Sequence, residues 1–140
     1  MADLRTSVGA LEFATPVIAA SGTYGYGAEF DGLVDWKMVG GVSVKGVSAR
    51  PCSGNAPIRM VETAAGVINA IGLQNPGVDV FIADKLPLLR RSGVKVVVNC
   101  WGDTVEDYQE VVERLDGVDG VDALEVNLSC PNRSQWEDLG

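Results

Sequence analysis

Four short apolar runs recur along the chain, at residues 16–20, 38–45, 95–100 and 123–128. Each run is rich in Val, Ile, Leu or Ala and stops at a polar or glycine-containing segment, which is typical of strands buried in a sheet. Before them, residues 5–8 and 11–13 flank Gly9-Ala10 and predict a β-hairpin. The pattern therefore predicts an N-terminal hairpin followed by four strands.

Helical periodicity is clearest in residues 103–115, where the apolar side chains fall on one face: Val105, Tyr108, Val111, Val112 and Leu115. Asp103 is its predicted N-cap, with Glu106 as the capping-box partner. Residues 76–91 predict another helix, which Pro87 kinks or restarts, and residues 28–34 predict a weak one. Residues 46–76 are predicted to form a long irregular connection, and connections of that length are usually functional.

This alternation of strands and helices, repeated four times, predicts a parallel sheet covered by helices. Polar side chains close the predicted strands at Ser21, Lys45, Asn99 and Asn127. Ligands of parallel α/β folds bind at the carboxyl ends of strands, so these residues are candidates for a binding site. For either asparagine taken alone, a role in a turn or a helix cap is the simpler alternative.

Side chains alternate along a strand, so each of the last three strands has an all-apolar face and a mixed face. The apolar faces are predicted to meet the helices, and the mixed faces to line a barrel interior or a crevice. Lys45, Asn99 and Asn127 fall on the mixed faces, as does Glu125 in mid-strand. An unpaired charge there would be costly, so Glu125 is predicted to pair with Lys45 or Lys95.

Composition excludes several classes of function. The 140 residues include 11 basic and 19 acidic side chains, for a net charge of −8, which argues against nucleic-acid binding. The absence of histidine excludes histidine general bases and most catalytic zinc sites. No apolar run approaches the roughly 20 residues of a membrane helix. The N-terminal residues also lack the pattern of a secretory signal.

Three widely spaced cysteines, Cys52, Cys100 and Cys130, form no C-x-x-C pair. They predict neither a disulfide framework nor a metal site, and they fit a reducing cytoplasm. From position alone, each is most simply a small buried side chain.

Four motifs follow in order: ASG at 20–22, SVKG at 43–46, NAIGLQNPG at 69–77 and NLSCPN at 127–132. Together they strongly resemble the catalytic subunit of dihydroorotate dehydrogenase, an FMN flavoprotein of pyrimidine synthesis. NAIGLQNPG most resembles the NAD-linked class 1B form. The resemblance spans the chain as far as Asn132 and fades over residues 133–140. It implies that the long connection at 46–76 covers the active site.

The resemblance implies an α/β fold of the (β/α)8 TIM-barrel family, here the first four βα units plus an N-terminal β-hairpin. Residues 1–140 would be the N-terminal half of a single FMN-binding TIM-barrel domain. The C-terminal half, with the loops that hold the FMN phosphate, would be absent. One alternative is a non-catalytic truncated half-barrel that is stable only by self-association or complementation, since open sheet edges favour association. An open, doubly wound sheet that binds another small ligand is a further alternative.

The activity implied is oxidation of dihydroorotate to orotate in de novo UMP synthesis. A cysteine after the fourth strand is the general base in the family, which assigns proton removal from substrate C5 to Cys130. The hydride would pass from C6 to flavin N5. Lys45 would lie near flavin N1 and O2, stabilise the charge of the reduced ring and touch the substrate.

The remaining motif residues are assigned by the same resemblance. Amide side chains offer both a donor and an acceptor, which suits a pyrimidine. The implied substrate-binding residues are Lys45, Asn69, Ile71, Gly72, Leu73, Asn127 and Asn132. The implied FMN-binding residues are Ala20, Ser21, Lys45, Gly46, Asn99 and Asn127.

The implied assembly is a cytoplasmic heterotetramer. A homodimer of catalytic subunits would associate with a subunit that carries FAD and an iron–sulfur cluster and passes electrons to NAD. No metal, membrane or nucleic acid is expected on the catalytic chain itself. A related flavoprotein that acts on another pyrimidine is the nearest competing interpretation.

Overall fold

The N-terminal hairpin is confirmed in the computed structural model, which describes residues 3–30 and 32–132, apart from the side chain of Ala28. Strand β1 (Thr6–Val8) pairs antiparallel with β2 (Leu11–Phe13). Gly9 in the turn has a φ of 58°, which glycine adopts without strain. The side chain of Phe13 is buried, so it packs the hairpin against the rest of the fold.

Parallel strands form the centre of the fold, as predicted. The sheet has the order β3 (Ile18–Ala19), β4 (Gly41–Val47), β7 (Lys95–Cys100) and β8 (Ala123–Val126). Only β7 has the predicted bounds, and the other three strands differ from them by a few residues. Within the described residues the sheet is open, with β3 and β8 at its edges, and no closed barrel is formed.

The predicted division between the two faces of the sheet is confirmed for β4 and β7 but not for β8, where Val126 of the predicted apolar face is 51 % exposed and Leu128 after it is 76 % exposed. Val42 and Val44 of β4 lie opposite Val96 and Val98 of β7, and all four are at most 1 % exposed. Helical side chains complete this core: Val78, Phe81, Leu86, Leu89, Val111 and Leu115. Because the apolar layer is covered by helices, the mixed face is left on the open side of the sheet.

The helical region between β4 and β7 consists of three successive segments. Helix α1 (Val78–Val80) leads into a π-helical segment (Phe81–Lys85) and then into α2 (Leu86–Ser92). Pro87 lies in the first turn of α2, where its missing N–H costs no hydrogen bond. The predicted restart at this proline is therefore confirmed. Helix α2 ends at Gly93, which is left-handed.

Helix α3 (Val105–Leu115) is confirmed, but its predicted cap is wrong by one residue. Thr104, not Asp103, is the N-cap, and Asp107, not Glu106, is its partner. The Thr104 hydroxyl accepts the N–H of Asp107 at 3.1 Å, and the Asp107 carboxylate accepts the N–H of Thr104 at 3.2 Å. The predicted pair and the observed pair both have the spacing of a capping box. The extended backbone of Thr104 makes it the N-cap.

The connection between β3 and β4 contains no α-helix within its described residues, which contradicts the first predicted βα unit. A single 3₁₀ turn (Ala28–Phe30) replaces the predicted helix, between Gly27 and Gly32 at positive φ. A second 3₁₀ turn (Trp36–Met38), capped by Asp35, delays the start of β4 to Gly41. The helix predicted after the fourth strand lies outside the described residues.

The 46–76 connection is more regular than predicted. It contains an antiparallel hairpin of β5 (Met60–Thr63) and β6 (Gly66–Asn69). The hairpin is exposed on both strands, so it buries no apolar stripe that periodicity would detect. Its position matters for function because Asn69 ends β6.

Candidate active site

A hollow of about 430 Å³ opens at the carboxyl edge of the sheet. It is lined by Ser21, Asn99, Glu125 and residues 126–129, so three of the predicted strand-end residues meet there. A larger hollow of about 670 Å³ lies at the opposite edge, beside the N-terminal hairpin and Lys95. No predicted site residue lines that second hollow, so we assign the site to the carboxyl edge.

Side chains from β7 and β8 form a hydrogen-bonded row along the hollow. Asn127 Nδ2 donates to Asn99 Oδ1 at 3.3 Å, and Asn99 Nδ2 donates to Glu125 Oε1. Asn99 is only 4 % exposed, so these partners satisfy an amide that solvent barely reaches. The Tyr108 hydroxyl on α3 donates to the backbone carbonyl of Asn127 and so anchors the end of β8.

The predicted ion pair of Glu125 with Lys45 or Lys95 is not what the structure contains. Lys95 Nζ pairs instead with Asp122 at 2.8 Å. Glu125 and Asn99 are direct partners in the parallel register of β7 and β8, and this neighbour satisfies the carboxylate. The sequence pattern identified the need for a partner but assigned the wrong one.

Gly46 lies beside Asn99 at a point where no larger residue fits comfortably. A Cβ built on Gly46 would meet Asn99 Oδ1 at 3.0 Å and Trp101 Cδ1 at 3.1 Å. The pairing of β4 with β7 shifts between Val44 and Val47, which places Lys45 and Gly46 at an irregularity. Lys45 is half-buried there, and its N–H donates to the carbonyl of Gly25 at 2.8 Å.

Ser21 is hydrogen-bonded to β4 at the carboxyl edge of the sheet. Its hydroxyl donates to the carbonyl of Val44 at 3.0 Å, next to Lys45. Ala20 precedes it in the turn after β3, where its carbonyl accepts the hydroxyl of Thr23 at 2.7 Å. The predicted flavin-binding residues of β3, β4 and β7 are thus neighbours.

The predicted substrate-binding asparagines are also brought together. Asn132 Nδ2 donates to Asn69 Oδ1 at 3.3 Å, which joins the end of β6 to the loop after β8. Asn55 bridges the same two segments, because its Nδ2 donates to the carbonyls of Ala70 and Asn132, each at 2.9 Å. The backbone N–H of Asn55 also donates to the carbonyl of Ile71 at 3.0 Å.

Residues 71–73 pass beside Gly46 in a strained path. Gly72 has a φ of 74°, and a Cβ there would collide with Asn55. Leu73 also has a positive φ of 57°, and its Cδ2 lies 3.6 Å from the position of a Cβ on Gly46. Asn75 Nδ2 holds this path by donating to the carbonyl of Leu73 at 2.9 Å.

Asn55 and Asn75 are the residues that sequence reasoning missed. Asn75 is buried, and its Oδ1 accepts the N–H groups of Ser48 and Gly77, at 3.2 and 2.9 Å. Asn75 stood inside the NAIGLQNPG motif, so the motif itself was the available signal. Asn55 stood in a segment with no periodicity, and only the folded contacts identify it.

The three cysteines occupy different surroundings. Cys100 is fully buried and burial raises the pKa of its thiol, with the charge of Glu125 adding to the shift. It is therefore a core side chain, as predicted. Cys52 is half-buried, with its Sγ 3.7 Å from the carbonyl of Gly72. Cys130 is a half-buried free thiol on the loop between Asn127 and Asn132.

Comparisons with known proteins agree with the motifs. The family profile described as dihydroorotate dehydrogenase matches residues 3–140, and so continues past Asn132, where the motif resemblance fades. The dihydroorotate dehydrogenase B (NAD(+)) catalytic subunit of Thermodesulfovibrio yellowstonii is 46 % identical over 98 % of this chain. The subunit of the same name from Citrifermentans bemidjiense is 49 % identical over 95 % of it. The chain spans about half the length of these relatives, 46 % and 44 %.

A solved structure supports the fold independently. The crystal structure of DHODH from Eimeria tenella in complex with ferulenol superposes with a TM-score of 0.67 at 24 % identity. The match covers 98 % of this chain and 39 % of that one. No helix in the described part of this chain has the length and apolarity needed to cross a membrane. Motifs, family profile and curated relatives agree, and the chain belongs to the dihydroorotate dehydrogenase family.

Proposed function

We propose that residues 1–140 form the N-terminal half of a (β/α)8 barrel that binds FMN and oxidises dihydroorotate to orotate, as in the NAD-linked B type. The observation that carries the proposal is that motif residues from separate segments of the chain meet in pairs. Asn99 meets Asn127 at the carboxyl edge of the sheet, and Asn69 at the end of β6 meets Asn132 in the loop after β8. The parallel sheet and its apolar, helix-covered face are what half of such a barrel requires.

The residues fit the ring end of FMN. Gly46 lets the side chains of Asn99 and Trp101 pack close to the backbone of β4, because a Cβ there would meet them at 3.0 and 3.1 Å. Ser21, Asn99 and Asn127 add neutral hydrogen-bonding groups around the hollow. The phosphate end of FMN is assigned, under this proposal, to the second half of the barrel.

Bound FMN supplies the hydride acceptor. Cys130, as the thiolate, removes the proton from C5 of dihydroorotate. The Lys45 ammonium would stabilise the negative charge that develops on the ring of bound FMN. Asn69, Asn127 and Asn132 hold the pyrimidine by its amides and carboxylate, and residues 71–73 close over it and exclude water.

Electrons then leave through a second protein. The relatives are named NAD(+)-type catalytic subunits, which supports a partner subunit for this chain as well. We propose a partner with FAD and an iron–sulfur cluster that reduces NAD, in a cytoplasmic heterotetramer built on a homodimer of catalytic subunits. The isolated hydride and proton steps do not depend on that partner.

The experiment that tests the function is a visible spectrum of the complete protein that contains this sequence, after addition of FMN and desalting. Retained flavin with a spectrum shifted from that of free FMN supports the site, and anaerobic dihydroorotate should bleach its band. Retained flavin that dihydroorotate fails to bleach would contradict the substrate assignment. Complete loss of flavin would favour a non-catalytic half-barrel that requires a complementing chain.

Replacing Asn55 with alanine is expected to raise KM for dihydroorotate by about tenfold, because two hydrogen bonds between the substrate-binding segments are lost. FMN retention should be unchanged, since Asn55 contacts neither Asn99 nor Gly46. Asn55→Asp tests the donor specifically, because its carboxylate would face the carbonyls of Ala70 and Asn132. Steady-state kinetics give the answer, and an unaltered KM in both variants would exclude this role.

A further inference from the structure

Glu125 is the charged side chain in this region that the proposed mechanism does not use. It stands beside Asn99 in the parallel register of β7 and β8, and its Oε1 accepts from Asn99 Nδ2. Asn99 is 4 % exposed, whereas Glu125 is exposed and lines the hollow. The contact therefore joins a solvent-reachable carboxylate to a buried amide.

A carboxylate can only accept hydrogen bonds, whereas an amide donates at one end and accepts at the other. Glu125 therefore requires the side-chain nitrogen of Asn99, and not its oxygen, to face the carboxylate. The Asn99 oxygen is then left for Asn127, whose Nδ2 donates to it at 3.3 Å. The amide of Asn127 is oriented with its nitrogen toward Asn99, because its Oδ1 accepts the N–H of Ser129 at 3.2 Å.

Each amide nitrogen carries two N–H groups, and this row uses one of each. The second N–H of Asn99 and the second N–H of Asn127 take no part in these two contacts, and both residues line the hollow. Were Asn99 reversed, its oxygen would face Glu125 and its nitrogen would face the nitrogen of Asn127. Both contacts would then be repulsive, so a single acceptor at position 125 decides the orientation of the pair.

We propose that Glu125 is a positioning residue that fixes the orientation of Asn99 and Asn127, so that both present N–H donors to the hollow. The ligand edge selected is one rich in carbonyl and imine acceptors, as the pyrimidine edge of a flavin is. This inference deepens the proposed function and rests on it for the identity of the ligand. The orientation of Asn99 itself does not depend on any ligand.

Two properties of Glu125 can be separated by substitution. Glu125→Gln removes the charge but keeps a carbonyl oxygen that accepts from Asn99. Glu125→Met keeps the length of the side chain and removes the strong acceptor. A positioning role predicts that Gln behaves like Glu, whereas a role of the negative charge predicts that Gln behaves like Met.

In the complete protein that contains this sequence, Glu125→Met is expected to weaken FMN binding about tenfold, and Glu125→Gln less than about twofold. FMN affinity is measured by fluorescence titration, and thermal unfolding verifies that each variant folds. Glu106, an exposed residue of α3, provides matched controls as Glu106→Gln and Glu106→Met. Neither control should change FMN affinity.

A second readout needs no ligand. The side-chain amide resonances of Asn99 in FMN-free protein should keep their position in Glu125→Gln and shift in Glu125→Met. Wild-type affinity in the Met variant, or equal loss in both variants, would overturn the proposal. If the wild-type protein retained no FMN, the proposed function would fail, and the amide resonances would still decide whether Glu125 orients Asn99.

Discussion

Replacing Cys130 with alanine is expected to lower kcat for dihydroorotate oxidation by about 10²–10⁴-fold, the usual range for loss of a general base. The thiol is half-buried on the loop between Asn127 and Asn132, two residues assigned to the substrate. Alanine removes the proton acceptor and little volume, so binding of FMN and substrate should change much less than kcat. Anaerobic stopped-flow reduction of the bound flavin measures the step directly.

Two variants make this result specific. Cys130→Ser keeps the shape but supplies a hydroxyl that ionises far less readily than a thiol, so its rate should also be strongly reduced. Cys100→Ala is the matched control, because Cys100 is fully buried and burial raises the pKa of its thiol. That variant should lose stability and keep kcat. A fully active Cys130→Ala enzyme would show that the base is another group.

The fold was predictable where one physical signal dominates. Strand β7, with three consecutive valines at 96–98 and a paired strand on each edge, has its predicted bounds. Helix α3 was predictable from its apolar face. Its cap was not, because Asp103 and Thr104 both have a suitable partner three residues later, and only the backbone conformation chooses between them.

The contacts among the predicted site residues could not be predicted from the sequence. Strand alternation and motif resemblance together identified Asn99, Asn127, Asn69 and Asn132. The pairing of Asn69 with Asn132 joins residues 63 positions apart, and no local pattern encodes it. The same limit explains Glu125: mid-strand position showed that it needed a partner, but identifying Asn99 required the register of β7 and β8.

Removing the charge of Lys45 is expected to lower kcat/KM for dihydroorotate by about 10²-fold or more, since a single group that stabilises developing negative charge contributes on this scale. Lys45→Met keeps the length of the side chain, so packing around the half-buried residue is little disturbed. The reduction potential of bound FMN should also fall, because the reduced ring loses a positive neighbour. Rapid-reaction kinetics and a spectroscopic redox titration measure the two effects.

Lys45→Arg separates charge from geometry. Arginine keeps the positive charge but replaces a compact ammonium with a broad planar group. It should restore most of the reduction potential and only part of the rate, because the broad guanidinium cannot occupy the position of the compact ammonium. Lys37→Met, at an exposed lysine near the opposite edge of the sheet, is the control and should change neither quantity. An unchanged potential in Lys45→Met would mean that this ammonium does not lie beside the flavin, and the assignment of Lys45 would have to be abandoned.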